Sequence, residues 1–211
     1  MQSCFNPLAA IARARRLVFE ARYLLLAMVA WFAISAVIGG ATALEVVSEL
    51  KRDVHSPREL ARLRPILRPE ITYQKRELRD PRLLRLAFEV FEGNALGFAV
   101  LIYLGGVVVI IPALIVFCQG WGCGAVVEQA GYHALLHRAL PHGVIELPMF
   151  LCAAAIATLF AFRLYKSVRR GLNLALLAFL RDATATYIAC LPALIVSAVI
   201  ETYGTRLLWG Q

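Results

Sequence analysis

Leu140-Pro141-His142-Gly143-Val144-Ile145-Glu146-Leu147-Pro148 is the stretch on which the fold turns. Proline and glycine stand there beside a histidine and a carboxylate, directly ahead of a long apolar run. Pro141 and Gly143 mark a turn or the start of a helix. His142 and Glu146 are four residues apart, so on a helix they share one face. If the chain turns here, the segments on either side are two membrane crossings joined by a tight hairpin. Glu146 then lies at the head of the second crossing, where an ionisable group is costly and usually has a task.

Outward from this stretch, composition sets the class. The chain has 211 residues, 60% of them hydrophobic and only 17% charged, with a mean hydropathy of +0.69. Soluble domains are nearer half apolar and a quarter charged. The apolar residues fall in long blocks, as in an integral membrane protein. The expected fold is all-α: a polytopic helical membrane protein forming a single membrane domain over residues 1–211. The net charge of +8 does not imply nucleic acid as a partner. The basic residues flank the apolar blocks, as topology signals do, and no base-stacking module accompanies them. The five cysteines, Cys4, Cys118, Cys123, Cys152 and Cys190, are odd in number and avoid the polar loop, so no disulfide framework or metal motif is expected from them.

Residues 6–21 set Arg13, Arg15 and Arg16 among Leu8, Ile11, Leu17, Val18 and Phe19. This reads as an amphipathic helix on the inner membrane surface. A first span is expected at about 23–44. Ala41-Thr42-Ala43 resembles a signal-peptidase site, but the apolar run is longer than a signal core, and a retained span is the preferred reading. Residues 45–93 form the polar insertion, mixing bases with acids. Ser56-Pro57-Arg58-Glu59 has the form of a helix start. Two or three short helices, broken at Pro65, Pro69 and Pro81, are expected there, either as a cap over the spans or as a docking surface. A second span is placed at about 95–117, with Gly105 and Gly106 allowing close helix approach and Pro112 kinking it. Gly120 and Gly124 match a small-xxx-small spacing, although glycine is also turn chemistry. Residues 125–140, with Glu128, His133 and His137, are too polar to face lipid. They read as a buried span or a re-entrant segment. Further spans follow at about 144–165 and 183–200, with 172–180 interfacial or a lead-in.

Short basic loops stay inside the cell. The arginines of residues 13–16 and the Lys166–Arg170 cluster must therefore share a side, which requires an even number of crossings between them. Counting 125–140 as the third crossing gives about five spans. The N-terminus is then cytoplasmic, the C-terminus outside, and the insertion extracytoplasmic, all in the cytoplasmic membrane. That topology gathers Asn94, His133, His137, His142, Gly143, Glu146 and Glu201 as a polar cluster at the outer boundary.

Three readings of the cluster compete. Ranked first, the groups bond one another and cap helix ends, with Glu146 suiting a helix N-terminus. Ranked second is a proton- or substrate-linked transport site. Ranked third is a metal site built from the pairs His133/His137 and His142/Glu146. No His-Glu-x-x-His, Gly-x-Ser-x-Gly or P-loop motif is present. The expectation is therefore no enzyme, no cofactor and no metal.

Four segments occur in order: Phe91-Glu92-Gly93-Asn94-Ala95-Leu96-Gly97, Gly120 to Gly124, the Leu140–Pro148 stretch, and Leu191-Pro192-Ala193-Leu194-Ile195 running on to Glu201. In these the chain resembles the stage II sporulation protein M family of integral membrane proteins. The family's Asn-Gly after the second span stands here as Gln119-Gly120. The resemblance implies a multi-span helical protein without catalytic activity, with Asn94, His142, Gly143, Glu146 and Glu201 at signature positions. In spore formers the family member anchors a complex with cell-wall hydrolases, and the family is distantly similar to exporter permeases. The expected function is thus a membrane anchor or assembly scaffold, paired as a homodimer through glycine-rich helices and contacting membrane or cell-envelope proteins. The alternative is a permease-like transporter using His142, Glu146 and Glu201.

Overall fold

A computed structural model describes residues 7–53, 81–134, 140–167 and 172–204. Every element among them is helical: α1 (Pro7–Glu20), α2 (Arg22–Asp53), α3 (Pro81–Ala99), α4 (Ile110–Ala134), α5 (Leu140–Ser167) and α6 (Leu172–Val199). Two π-helical turns extend them, Val100–Leu104 after α3 and Ile200–Gly204 after α6. Five segments are long and apolar enough to cross a membrane: Arg22–Glu45, Leu83–Leu104, Ile110–Glu128, His142–Ser167 and Leu176–Gly204. The chain is a multi-pass helical membrane protein with the expected number of spans.

Two spans lie elsewhere than the sequence suggested. The second begins at Leu83, so that the turn falls at Gly105-Gly106 and the third span is 110–128 rather than 125–140. The sequence assigns residues up to 93 to the polar insertion, but Arg85, Glu89 and Glu92 sit on an amphipathic helix whose other face, with Leu83, Ala87 and Ala95, is buried. Arg85 and Glu89 pair with each other at 2.9 Å on the exposed face. At the turn, a side chain on Gly106 would run into the ring of Phe179. Pro112 is the third residue of α4, where no backbone donor is lost, and it kinks nothing. The readings of residues 56–59, Pro65 and Pro69 lie outside the described residues, while Pro81 begins α3.

α2 and α4 run parallel at close range. A Cβ on Gly39 would overlap the backbone of Trp121, one on Gly124 the backbone of Ala36, and one on Gly120 would lie 2.8 Å from the Cβ of Ser35. Missing side chains let the two backbones approach to gain dispersion contacts that lipid cannot match. Tryptophans lock the register: the Trp31 indole donates to the Ala113 carbonyl at 2.8 Å, and the Trp121 indole donates to the Thr42 hydroxyl at 2.9 Å. α2 passes unbroken through Ala41-Thr42-Ala43, which belongs to this contact.

α5 is the central helix. Its span is 56% buried against 17% for the first, because the run Ala153–Ala157 is small enough for neighbours to close over it. α6 packs antiparallel to it, with Phe160 edge-on to Phe179 at 5.6 Å. α3 lies beside both, through Phe98 against Phe150 and the Tyr103 hydroxyl 2.9 Å from that of Thr184. α1 docks across one end of this trio. Arg13 pairs with Asp182, Glu20 pairs with Arg163, and Ala10 and Leu17 are buried beneath.

Candidate functional site

The bundle end opposite α1 carries the site. α5 begins at Leu140, with Pro141 in its first turn, where a missing N–H costs nothing. His142 and Glu146 follow one helical turn apart on the same face, both half-buried. α6 brings Ser197 alongside, fully buried, and its hydroxyl donates to Glu146 Oε2 at 3.1 Å. The chain then widens into the π-helical turn that carries Glu201 and the buried Thr202. One ligand atom each from His142, Glu146 and Glu201 lie within 4.8 Å of one another. Among the described residues, His142 Nδ1 and the Thr202 hydroxyl are buried with no hydrogen-bond partner.

The sequence placed seven residues here, and the structure brings three of them together as donors. Asn94 is not at the start of the second span but inside it, half-buried. It nevertheless shares the depth of Glu146. Phe98 and Phe150 are in ring contact, and Asn94 and Glu146 each lie one turn from them toward the same end. Gly143 has open space where a side chain would be, so no neighbour among the described residues demands glycine there. His133 lies on the tail of α4, past a break at Gly131 (φ 80°), and outside the span that ends at Glu128. His137 lies outside the described residues. The sequence could not weigh Ser197, a hydroxyl in an apolar run whose value depends on facing Glu146.

Two tiers of charged side chains are drawn together at opposite ends of the bundle. Segments 23–44, 95–127, 147–162 and 183–200 contain no Asp, Glu, Lys, Arg or His. The helical rise from Glu146 to Arg163, and from Asp182 to Glu201, is roughly 25–30 Å, close to the hydrocarbon thickness of a bilayer. One tier is His142, Glu146 and Glu201. The other is Arg13, Glu20, Arg163 and Asp182, tied as ion pairs. Beside it lies a cleft of about 380 Å³, lined in part by Phe160, Arg163, Lys166 and Phe179. The ion pairs join positions 169 and 143 residues apart, so no local spacing announced them.

Two carboxylates and an imidazole this close interact strongly, because little water screens them. The cluster can share protons internally, hold helix ends together, or bind a cation.

The family described as Stage II sporulation protein M matches residues 23–206 of the chain, from the first span through the π-helical turn of Glu201. No curated protein and no solved structure matches it.

Proposed function

This chain belongs to the stage II sporulation protein M family, and we propose that it acts as a non-catalytic membrane anchor and assembly scaffold. The observation that carries this reading is the segregation of charge. A transporter needs a polar, water-accessible route through both leaflets, and residues 23–44, 95–127, 147–162 and 183–200, which fill the described spans between the tiers, contain no Asp, Glu, Lys, Arg or His. Scaffolding needs only a stable bundle with surfaces beyond the bilayer. In this reading the α1 end faces the cytoplasm, since Arg13, Arg15, Arg16 and Lys166 gather there. The Glu146 tier, residues 54–80 and the tail after Gly204 face outward and meet cell-envelope partners. For a homodimer, Gly39, Gly40, Gly120 and Gly124 are already taken by the α2–α4 contact within the chain. Among the described residues, the pair at small-xxx-small spacing that keeps open space is Gly93 and Gly97 of α3.

The second reading, a permease-like transporter, is favoured by the half-buried His142, Glu146 and Glu201. Two measurements separate them. Capture of envelope proteins by the intact chain, lost when residues 54–80 are replaced by a short flexible linker, supports the scaffold. Solute flux in reconstituted liposomes that disappears in Glu146→Gln overturns it.

A further inference from the structure

We propose that His142, Glu146 and Glu201 form a binding site for a divalent transition-metal cation of the zinc class. The proposal goes beyond the scaffold reading and does not depend on it. Three elements converge: the first turn of α5 supplies His142, the second supplies Glu146, and the π-helical turn after α6 supplies Glu201. π-Helical turns are rare and are frequently found at functional sites.

The donor set selects the ion. One imidazole nitrogen with two carboxylate oxygens suits Zn²⁺ and its neighbours Co²⁺, Ni²⁺ and Mn²⁺. Ca²⁺ and Mg²⁺ take all-oxygen shells, and no thiolate is present to favour Cu⁺. The three donors lie within 4.8 Å of one another. Zinc ligands at about 2.0–2.2 Å sit roughly 3.4 Å apart in a tetrahedron, so each side chain closes by only an ångström or so. Three protein ligands leave one coordination position for water or a partner's side chain.

Charge and hydrogen bonding agree with this. A dication is favoured by the negative charge that carboxylates carry when ionised, and it relieves their mutual repulsion. Ser197 binds one oxygen of Glu146 at 3.1 Å, the kind of outer contact that orients a metal ligand. The buried Nδ1 of His142 has no protein partner among the described residues. A buried nitrogen left unpaired is destabilising, and coordination through Nδ1 removes that penalty. Of the histidine pair that the sequence offered, His133 follows the span that ends at Glu128 and His137 lies outside the described residues.

The test uses the full-length protein, purified in detergent after chelator treatment. Zn²⁺ is titrated calorimetrically and Co²⁺ spectroscopically. Expected are one saturable site per chain, visible d–d bands of tetrahedral Co²⁺ that Zn²⁺ displaces, and a rise in unfolding temperature with Zn²⁺ but not Mg²⁺. Glu201→Gln and His142→Ala should abolish the Co²⁺ spectrum. Ser197→Ala should retain it with about 10-fold to 100-fold weaker affinity, which keeps the test decisive should His142→Ala fail to accumulate. His133→Ala should change nothing. Absence of saturable binding, equal binding of Mg²⁺, or a Co²⁺ spectrum unchanged in Glu201→Gln overturns the proposal. Either result leaves partner capture and liposome flux free to decide the scaffold reading.

Discussion

Glu146 and Ser197 show how much one hydroxyl decides near the edge of a bilayer. The serine stands in an apolar stretch, Ala193 to Ile200, and is fully buried. Its bond to Glu146 Oε2 satisfies one oxygen of a carboxylate held away from bulk water. Removing a partner from such a group costs more than an average hydrogen bond contributes, because the group left behind is still desolvated. Ser197→Ala should therefore lower unfolding stability by about 1–3 kcal/mol, read by reversible unfolding in mixed micelles without added metal. A loss below a few tenths would mean that Glu146 finds another partner. At the opposite tier, Arg13 and Asp182 are only 29% and 15% exposed at the side chain. Arg13→Ala leaves Asp182 beside Arg181, at 3.7 Å, so the charge is not stranded. The expected effect is local: α1 loosens, and a cysteine placed at Leu17 becomes reactive to a water-soluble maleimide, while the spans stay folded.

At the scale of elements, the α2–α4 pair is the tightest contact, and its glycines divide cleanly into needed and unneeded. A methyl on Gly124 meets the backbone of Ala36, which cannot rotate away, whereas one on Gly122 meets nothing within 4 Å. Gly124→Ala should destabilise by about 1–3 kcal/mol, as overpacking does, and Gly122→Ala should be silent. Comparing the two in unfolding or in membrane accumulation removes any effect of composition alone. The same contrast explains why the glycine-rich stretch was open to two readings in the sequence. Gly120 and Gly124 carry a spacing, but a spacing becomes a contact only when a second helix, here with Gly39, Gly40 and Ala36, arrives at the right height. The span limits were misplaced for a related reason. Hydropathy is averaged over all faces of a helix, so Arg85, Glu89 and Glu92 hid the buried face of α3 that holds Leu83 and Ala87.

At the scale of the whole molecule, α5 is surrounded by its neighbours while α1 closes one end and the Glu146 tier the other. The apolar gap between the tiers predicts that liposomes containing the protein are no leakier to small ions and amino acids than liposomes containing Gly124→Ala or an unrelated helical protein. Substrate-dependent flux above that level would fail the scaffold reading. Sequence alone determined the membrane class, the number of spans, the amphipathic first helix and the charge-free runs at the heart of the spans. These rest on composition and on the energy of placing charge in hydrocarbon, which each segment carries by itself. It also singled out His142, Glu146 and Glu201, because ionisable groups beside apolar runs stand out one at a time. Only the tertiary structure decided which of the marked residues meet. It set Asn94 within a span, left His133 beyond one, and brought Glu201 and Ser197 to Glu146 from more than fifty positions away. Such meetings depend on how helices dock and on the π-helical turn that aims Glu201, and neither is written in any local stretch of the chain.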